Sequence, residues 1–164
     1  MTREPGSIHR PDPVALLLTW TTYGSWLPGD ARGWVDGNGM RHDGNEHLHR
    51  VARRAMRHVP VTLVETQREI VESAIRDECR HRGWLVHALN CRTNHVHVVG
   101  AVVRQPPHAV MRCFKATSSR RLSRHCGPSR RWWTRGGSVR WLFDAPSLER
   151  AIVYVMDGQH IPRR

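Results

Sequence analysis

This 164-residue chain predicts an α+β fold, a ferredoxin-like sandwich of one antiparallel sheet with helices on one face. Three observations lead there. Apolar runs of strand length alternate with stretches of helical spacing, in the order strand, helix, strand, strand, helix, strand or strands, helix. The two middle strands are joined by a short turn and read as partners. The length supports a hydrophobic core without disulfides and fits one domain over residues 1–164.

Each element has a local reason. Residues 1–12 are polar and proline-bearing and are expected to form a flexible arm. Val14–Thr22 is a continuous apolar run, read as a central strand. Tyr23–Trp34 carries glycines, a proline and tryptophans, as an ordered loop does, and residues 35–60 have weak periodicity. Thr62-Leu-Val-Glu65 has a capping-box pattern that opens a helix closed by Gly83. Trp84–Asn90 and His95–Val103 are strands around the Cys91–Asn94 turn. Pro106 or Pro107 starts a second helix, with Val110, Met111, Phe114 and Leu122 on one face and an end near Gly127. Arg131–Phe143 reads as a hairpin around Gly136-Gly137, and Ser147 is expected to cap a last helix reaching about Met156.

The pair His95 and His97 is the sharpest chemical signal. Alternate residues of a strand share a face, so the two imidazoles leave the backbone about 6–7 Å apart and can converge on one metal ion. The same pattern also occurs as ordinary strand histidines. Charge adds a second signal. The formal net charge is +12, and Cys79–Phe143 contains 13 Arg or Lys and no Asp or Glu. Such asymmetry points to nucleic acid. Arg112, Lys115, Arg120, Arg121, Arg124, Arg130 and Arg131 are the candidate phosphate contacts, because no acid in this stretch pairs them. Trp132 and Trp133 join them as DNA-binding candidates. In an extended segment they cannot both face the core, so one is expected outside.

The chain has two tyrosines, Tyr23 and Tyr154. A tyrosine oxygen can attack a DNA phosphorus, and a divalent cation on two histidines can polarise the phosphate. Asp157 or Gln159, in the same segment as Tyr154, would complete the metal set. Asp157 lies about 60° from Tyr154 around a helix and Gln159 about 140°, but Gly158 permits a bend that keeps Gln159 open. A core tyrosine with a satisfied hydroxyl is the competing role for Tyr154.

These features together resemble the single-tyrosine HUH transposases, especially the REP-associated tyrosine transposase-like branch. The resemblance rests on Leu18–Asp30, on Asn94-His-Val-His97 after a Trp84-led strand, and on the final Tyr154 helix. It covers most of the chain. Arg92-Thr93 stands where the family often has Met-Pro, and Gly158 where its third ligand commonly lies. The resemblance implies a metal-dependent single-stranded DNA endonuclease and strand transferase with Mg2+ or Mn2+ as cofactor. It implies metal ligation by His95 and His97, Tyr154 as nucleophile, a 5′-phosphotyrosine intermediate, and single-stranded or hairpin DNA as partner. Its dimeric members leave a homodimer open.

Several classes are excluded by residue type. A histidine-triad hydrolase needs a histidine where Val99 stands, and a two-histidine phosphodiesterase needs a second His-x-Thr or His-x-Ser motif, which is absent. Cys79, Cys91, Cys113 and Cys126 have no CxxC spacing for structural zinc and fit free thiols in a reducing compartment. With no signal peptide and no apolar run of about 20 residues, a cytoplasmic, nucleoid-associated location without membrane partners is expected. The rival function is a non-catalytic single-strand-binding module of the same fold, which would not need the Tyr154 hydroxyl.

Overall fold

The computed structural model describes residues 12–102, 105–127 and 131–157. The expected arm lies outside the described residues but for Asp12. The central run becomes β1 (Ala15–Thr21). A two-residue ladder follows, β2 (Trp34–Val35) and β3 (Arg41–His42), then α1 (Glu46–Arg54) and α2 (Glu65–Arg82). The middle strands are β4 (Leu85–Cys91) and β5 (His95–Ala101), and α3 (Pro107–Cys126), β6 (Ser138–Leu142) and α4 (Ala145–Met156) complete the order.

The main sheet runs β4-β5-β1-β6 and is antiparallel throughout. Alternation along β1 decides which layer each residue joins. Leu16, Leu18 and Trp20 face α2 and α3, where they meet Val71, Ile75, Val110, Met111, Phe114 and Leu122, with Val96 and Val98 of β5. Ala15 and Leu17 face the other way and pack with Ala88, Val99 and Leu142 against Ala151 and Val155 of α4. The antiparallel α+β architecture is as expected, with α2 and α3 on one face. The last helix crosses the opposite face, so the helices do not all lie on one face as the sequence predicts. Its cause is a stripe, Leu148, Ala151, Ile152 and Val155, that needs an apolar surface to cover.

Four local readings are corrected. The helix α1 lies inside the stretch of weak periodicity. It buries no residue, so it has no apolar stripe to be read. It is anchored instead by Asn45, whose side chain accepts from Leu48 N–H, and by close packing on Gly29. Gly29 has φ +84°, and a Cβ there would lie 2.4 Å from His49 N.

The α2 cap is shifted. The helix begins at Glu65, and Gln67 Oε1 accepts from Val64 N–H at 3.1 Å. Thr62 stays in an extended lead-in because Val61 and Leu63 on either side of it are buried.

The hairpin around Gly136-Gly137 does not form. Trp133 bridges to Thr22, and Ser138–Leu142 pairs with β1 through Thr19↔Ser138. Both halves therefore lie along the same edge of β1. A strand that would have paired locally pairs instead with the open edge of a buried neighbour. Gly137 is needed at the join because a Cβ there would sit 2.6 Å from the Thr19 carbonyl oxygen.

The last helix is capped by Asp144, whose side chain accepts from Ser147 N–H at 2.6 Å, and Ser147 is the reciprocal third residue rather than the cap. Among the described residues no helix is long and apolar enough to cross a membrane.

Candidate active site

Sheet register assembles the site. His95 and His97 project from β5 on the α4 face, in the same row sense as Val99. One row across the sheet runs Asn90, His97, Thr19, Ser138, and the next pairs His95 with Thr21. The α4 side of the sheet is apolar at Leu17, Ala88 and Val99 and turns polar at this end.

The two imidazoles lie 4.8 Å apart between ring centroids. Both have their Nδ1 atoms engaged. His95 Nδ1 bonds Asn94 Oδ1 at 2.7 Å, and because that amide oxygen only accepts, the ring hydrogen is on Nδ1. His97 Nδ1 and Thr19 Oγ1 are hydrogen-bonded at 2.7 Å. His97 is buried, and burial first, then the neighbouring His95 and Arg92, pushes its pKa down to about 4. It is a neutral imidazole at pH 7, the form that binds a metal.

Tyr154 reaches these histidines from α4. Its ring centroid is 5.4 Å from that of His97, with the rings nearly edge to face. Ala151 and Val155 dock the helix into the sheet, and Asn90 Nδ2 donates to the Val155 carbonyl at 2.9 Å. Tyr154 sits on the flank of that buried stripe and is 41% exposed. Its hydroxyl has no hydrogen-bond partner among the described residues. Tyr23 differs: it is partly buried, and its hydroxyl accepts from Arg57 N–H at 3.2 Å. Of the two tyrosines, only Tyr154 combines an exposed ring with contact to the histidine pair.

The remaining expected residues are dispersed. Asp157 is the exposed C-cap of α4. No group of three or more His, Cys, Asp or Glu side chains converges among the described residues, so Asp157 does not join His95 and His97. Gln159 and Arg130 lie outside the described residues.

The α3 residues Arg112, Arg120 and Arg124 are exposed, but α3 packs on the sheet face away from the histidines. Arg121 is paired, with its guanidinium 2.6 Å from Asp77 of α2. The acid-free stretch is thus answered by acids just before it in sequence, a pairing that only helix packing reveals. Lys115 is partly buried and donates to the carbonyls of Thr134 and Gly136, and burial lowers its pKa to about 8. Arg131 is exposed, over the ring of Tyr23.

Trp132 and Trp133 are both buried, so neither is the expected outward contact. Both join the core beneath α2 and α3. Trp133 packs edge-on to Trp20, and Trp132 Nε1 donates to Ser123 of α3.

Sequence reading gave no role to the polar neighbours Thr19, Asn90, Asn94 and Arg92. A signal existed for Thr19 and Thr21, which alternate with apolar residues on a strand otherwise read as wholly buried.

Comparison with known proteins bears on the same elements. The family model described as "Transposase IS200 like" matches residues 44–143, a span that contains both histidines and ends before Tyr154. No curated protein matches this chain. Among solved structures, the REP-associated tyrosine transposase bound to a REP hairpin superposes with a TM-score of 0.54 at 10% identity, over 93% of this chain and 70% of that one. A candidate transposase from Deinococcus radiodurans R1 superposes with a TM-score of 0.50 at 16% identity, over 96% of this chain and 98% of that one. At these identities the structural likeness is one of fold. The family match covers more than half of the residues, and on that ground this chain belongs to the IS200-like transposase family.

Proposed function

We propose that this transposase-family protein is a metal-dependent endonuclease and strand transferase for single-stranded, hairpin-bearing DNA, with Tyr154 as its nucleophile. The observation that carries the reading is the contact of an exposed tyrosine ring with His97 within one chain. A core tyrosine would be buried with its hydroxyl satisfied. The hairpin-bound relative supports hairpin DNA as the substrate.

The residues fit two ligands of a divalent cation. Asn94 and Thr19 hold the two rings at Nδ1, an orienting contact of the kind that supports metal ligation through the other ring nitrogen. Gln159 is the proposed third ligand. Bound Mg2+ or Mn2+ would supply polarisation of the scissile phosphate. The chain's own residues do the rest. Tyr154 Oη forms a bond to phosphorus as the bond from phosphorus to the 3′ oxygen breaks. The phenolic proton leaves to solvent, and the departing 3′ oxygen takes one up as a hydroxyl. The product is a 5′-phosphotyrosine link, and attack by a 3′ hydroxyl reverses it. The docking of α4 on its own sheet supports action of Tyr154 beside the histidines of its own chain.

The test removes one oxygen. Tyr154→Phe keeps the ring on His97, so folding and DNA binding stay at wild-type level. Denaturing electrophoresis of labelled hairpin DNA with Mg2+ or Mn2+ is expected to show a covalent adduct with wild type and with Tyr23→Phe, and none with Tyr154→Phe. An equal adduct with Tyr154→Phe refutes the assignment. No adduct by wild type on hairpins from its own locus favours a non-catalytic binding module.

A further inference from the structure

We propose that the open cleft beside α1, lined by Arg53 and Arg57 and flanked through Tyr23 by Arg131, grips the phosphate backbone of single-stranded DNA entering the candidate active site. This rests on the DNA reading above and adds the surface on which the strand lies.

The helix α1 buries nothing, so its side chains are not spent on the core. It carries Arg50, Arg53 and Arg54 against a single acid, Glu46, which pairs with Arg50 at 3.3 Å. Arg53, Arg54 and Arg57 have no carboxylate partner among the described residues. The helix and the chain after it border an open cleft of about 780 Å³ lined by Arg53, Met56, Arg57, His58, Val59 and Pro60, none of them acidic. An uncompensated cationic concavity of this kind selects an anionic polymer.

Tyr23 braces the segment that lines the cleft. Tyr23 N–H donates to the Trp132 carbonyl, its own carbonyl accepts from Val61 N–H, and its hydroxyl accepts from Arg57 N–H. His58 lies edge-on to the Tyr23 ring at 5.9 Å, and the Arg131 guanidinium lies over that ring at 5.6 Å. Two distant segments, the one that lines the cleft and the one that carries Arg131, thus meet at Tyr23. Tyr23 follows by two positions Thr21, the register partner of His95. Two residues of chain, at most about 7 Å if extended, separate this brace from the histidine row. The basic face of α3, by contrast, has its Arg121 already paired with Asp77 of α2.

With Arg131 over the Tyr23 ring, this flank of the cleft presents a guanidinium rather than an open ring for base stacking. The grip is therefore on phosphates and indifferent to base sequence.

The experiment titrates two unrelated dye-labelled single-stranded oligodeoxynucleotides against salt with the full chain, comparing wild type, R53A/R57A and the α3 triple variant R112A/R120A/R124A. All five arginines are exposed, so unfolding midpoints should match. Two lost phosphate contacts at roughly 0.7 each flatten the log–log salt slope by about 1.4 for R53A/R57A, equally on both sequences. The α3 variant is expected to lose less. Wild-type affinity and slope for R53A/R57A, or a loss confined to one sequence, overturns the cleft assignment alone. Absence of DNA binding by wild type overturns it together with the proposed function.

Discussion

Asn90 is expected to hold the nucleophile helix on the sheet, and removing its side-chain amide tests how the site is built. Asn90 stands beside His97 in the β4–β5 register, and its Nδ2 donates to Val155 O in the last turn of α4. Carbonyls of a last helical turn have no partner within the helix, so this bond satisfies one of four orphan acceptors. Asn90→Ala loses about 1 kcal/mol for the bond, and about 2 kcal/mol if the carbonyl is not rehydrated. For a chain of this size about 1 kcal/mol lowers the unfolding midpoint by roughly 2–4 °C. The local consequence is larger. One to two kcal/mol is roughly a 5–30-fold change in an opening equilibrium, and it should fall on α4, whose remaining hold is the small stripe of Leu148, Ala151, Ile152 and Val155. Hydrogen exchange is the assay: amides of α4 should exchange faster by that factor, while those of α2 follow only the global loss. Asn90→Asp should cost more at neutral pH, because a carboxylate offers the Val155 carbonyl no donor. Unchanged protection of α4, with the loss spread evenly over the fold, would refute the clamp.

Two further outcomes follow from packing and charge. Gly137→Ala should cost about 1–3 kcal/mol in denaturant unfolding, because its Cβ would meet the Thr19 carbonyl oxygen at 2.6 Å and Met111 Sδ at 2.5 Å; a neutral result would mean that the β6 edge yields freely. Glu78 accepts from the Cys113 thiol, from Arg82 at 2.5 Å and from Thr117, and these bonds, the thiol's first, hold its pKa down from 4.5 to about 2. A depressed carboxylate stabilises the fold above pH 4.5 and loses that contribution as pH falls toward 2. The full depression would amount to roughly 3 kcal/mol, and screening at the half-exposed Arg82 end leaves about 1–2 kcal/mol. Glu78→Gln should therefore lower stability at pH 7 and flatten its decline between pH 4.5 and 2, and an acid limb as steep as that of wild type would sink this account.

Local pattern was enough for the elements that own a strong period or a punctuating residue. The apolar run of β1, the Gly83 stop of α2 and the proline start of α3 are each written within a few neighbouring residues, because backbone conformation and one-sided burial act at that range. The same range placed His95 and His97 on a common face, since a strand alternates sides whatever surrounds it. It also singled out Tyr154 as a residue on the last helix. It failed where the deciding partner was remote. The segment after Trp133 contains a good turn signal, yet it pairs with the open edge of β1, because a buried strand offers more hydrogen bonds and apolar contact than a local hairpin. Both tryptophans are buried for the same reason. The acid-free stretch looked unpaired in sequence, but helix packing brings Asp77 to Arg121 across 44 positions. Above all, only the tertiary structure decided that α4 crosses the sheet face opposite α2 and α3. That crossing sets Tyr154 against His97, a contact between positions 57 residues apart that no local period encodes.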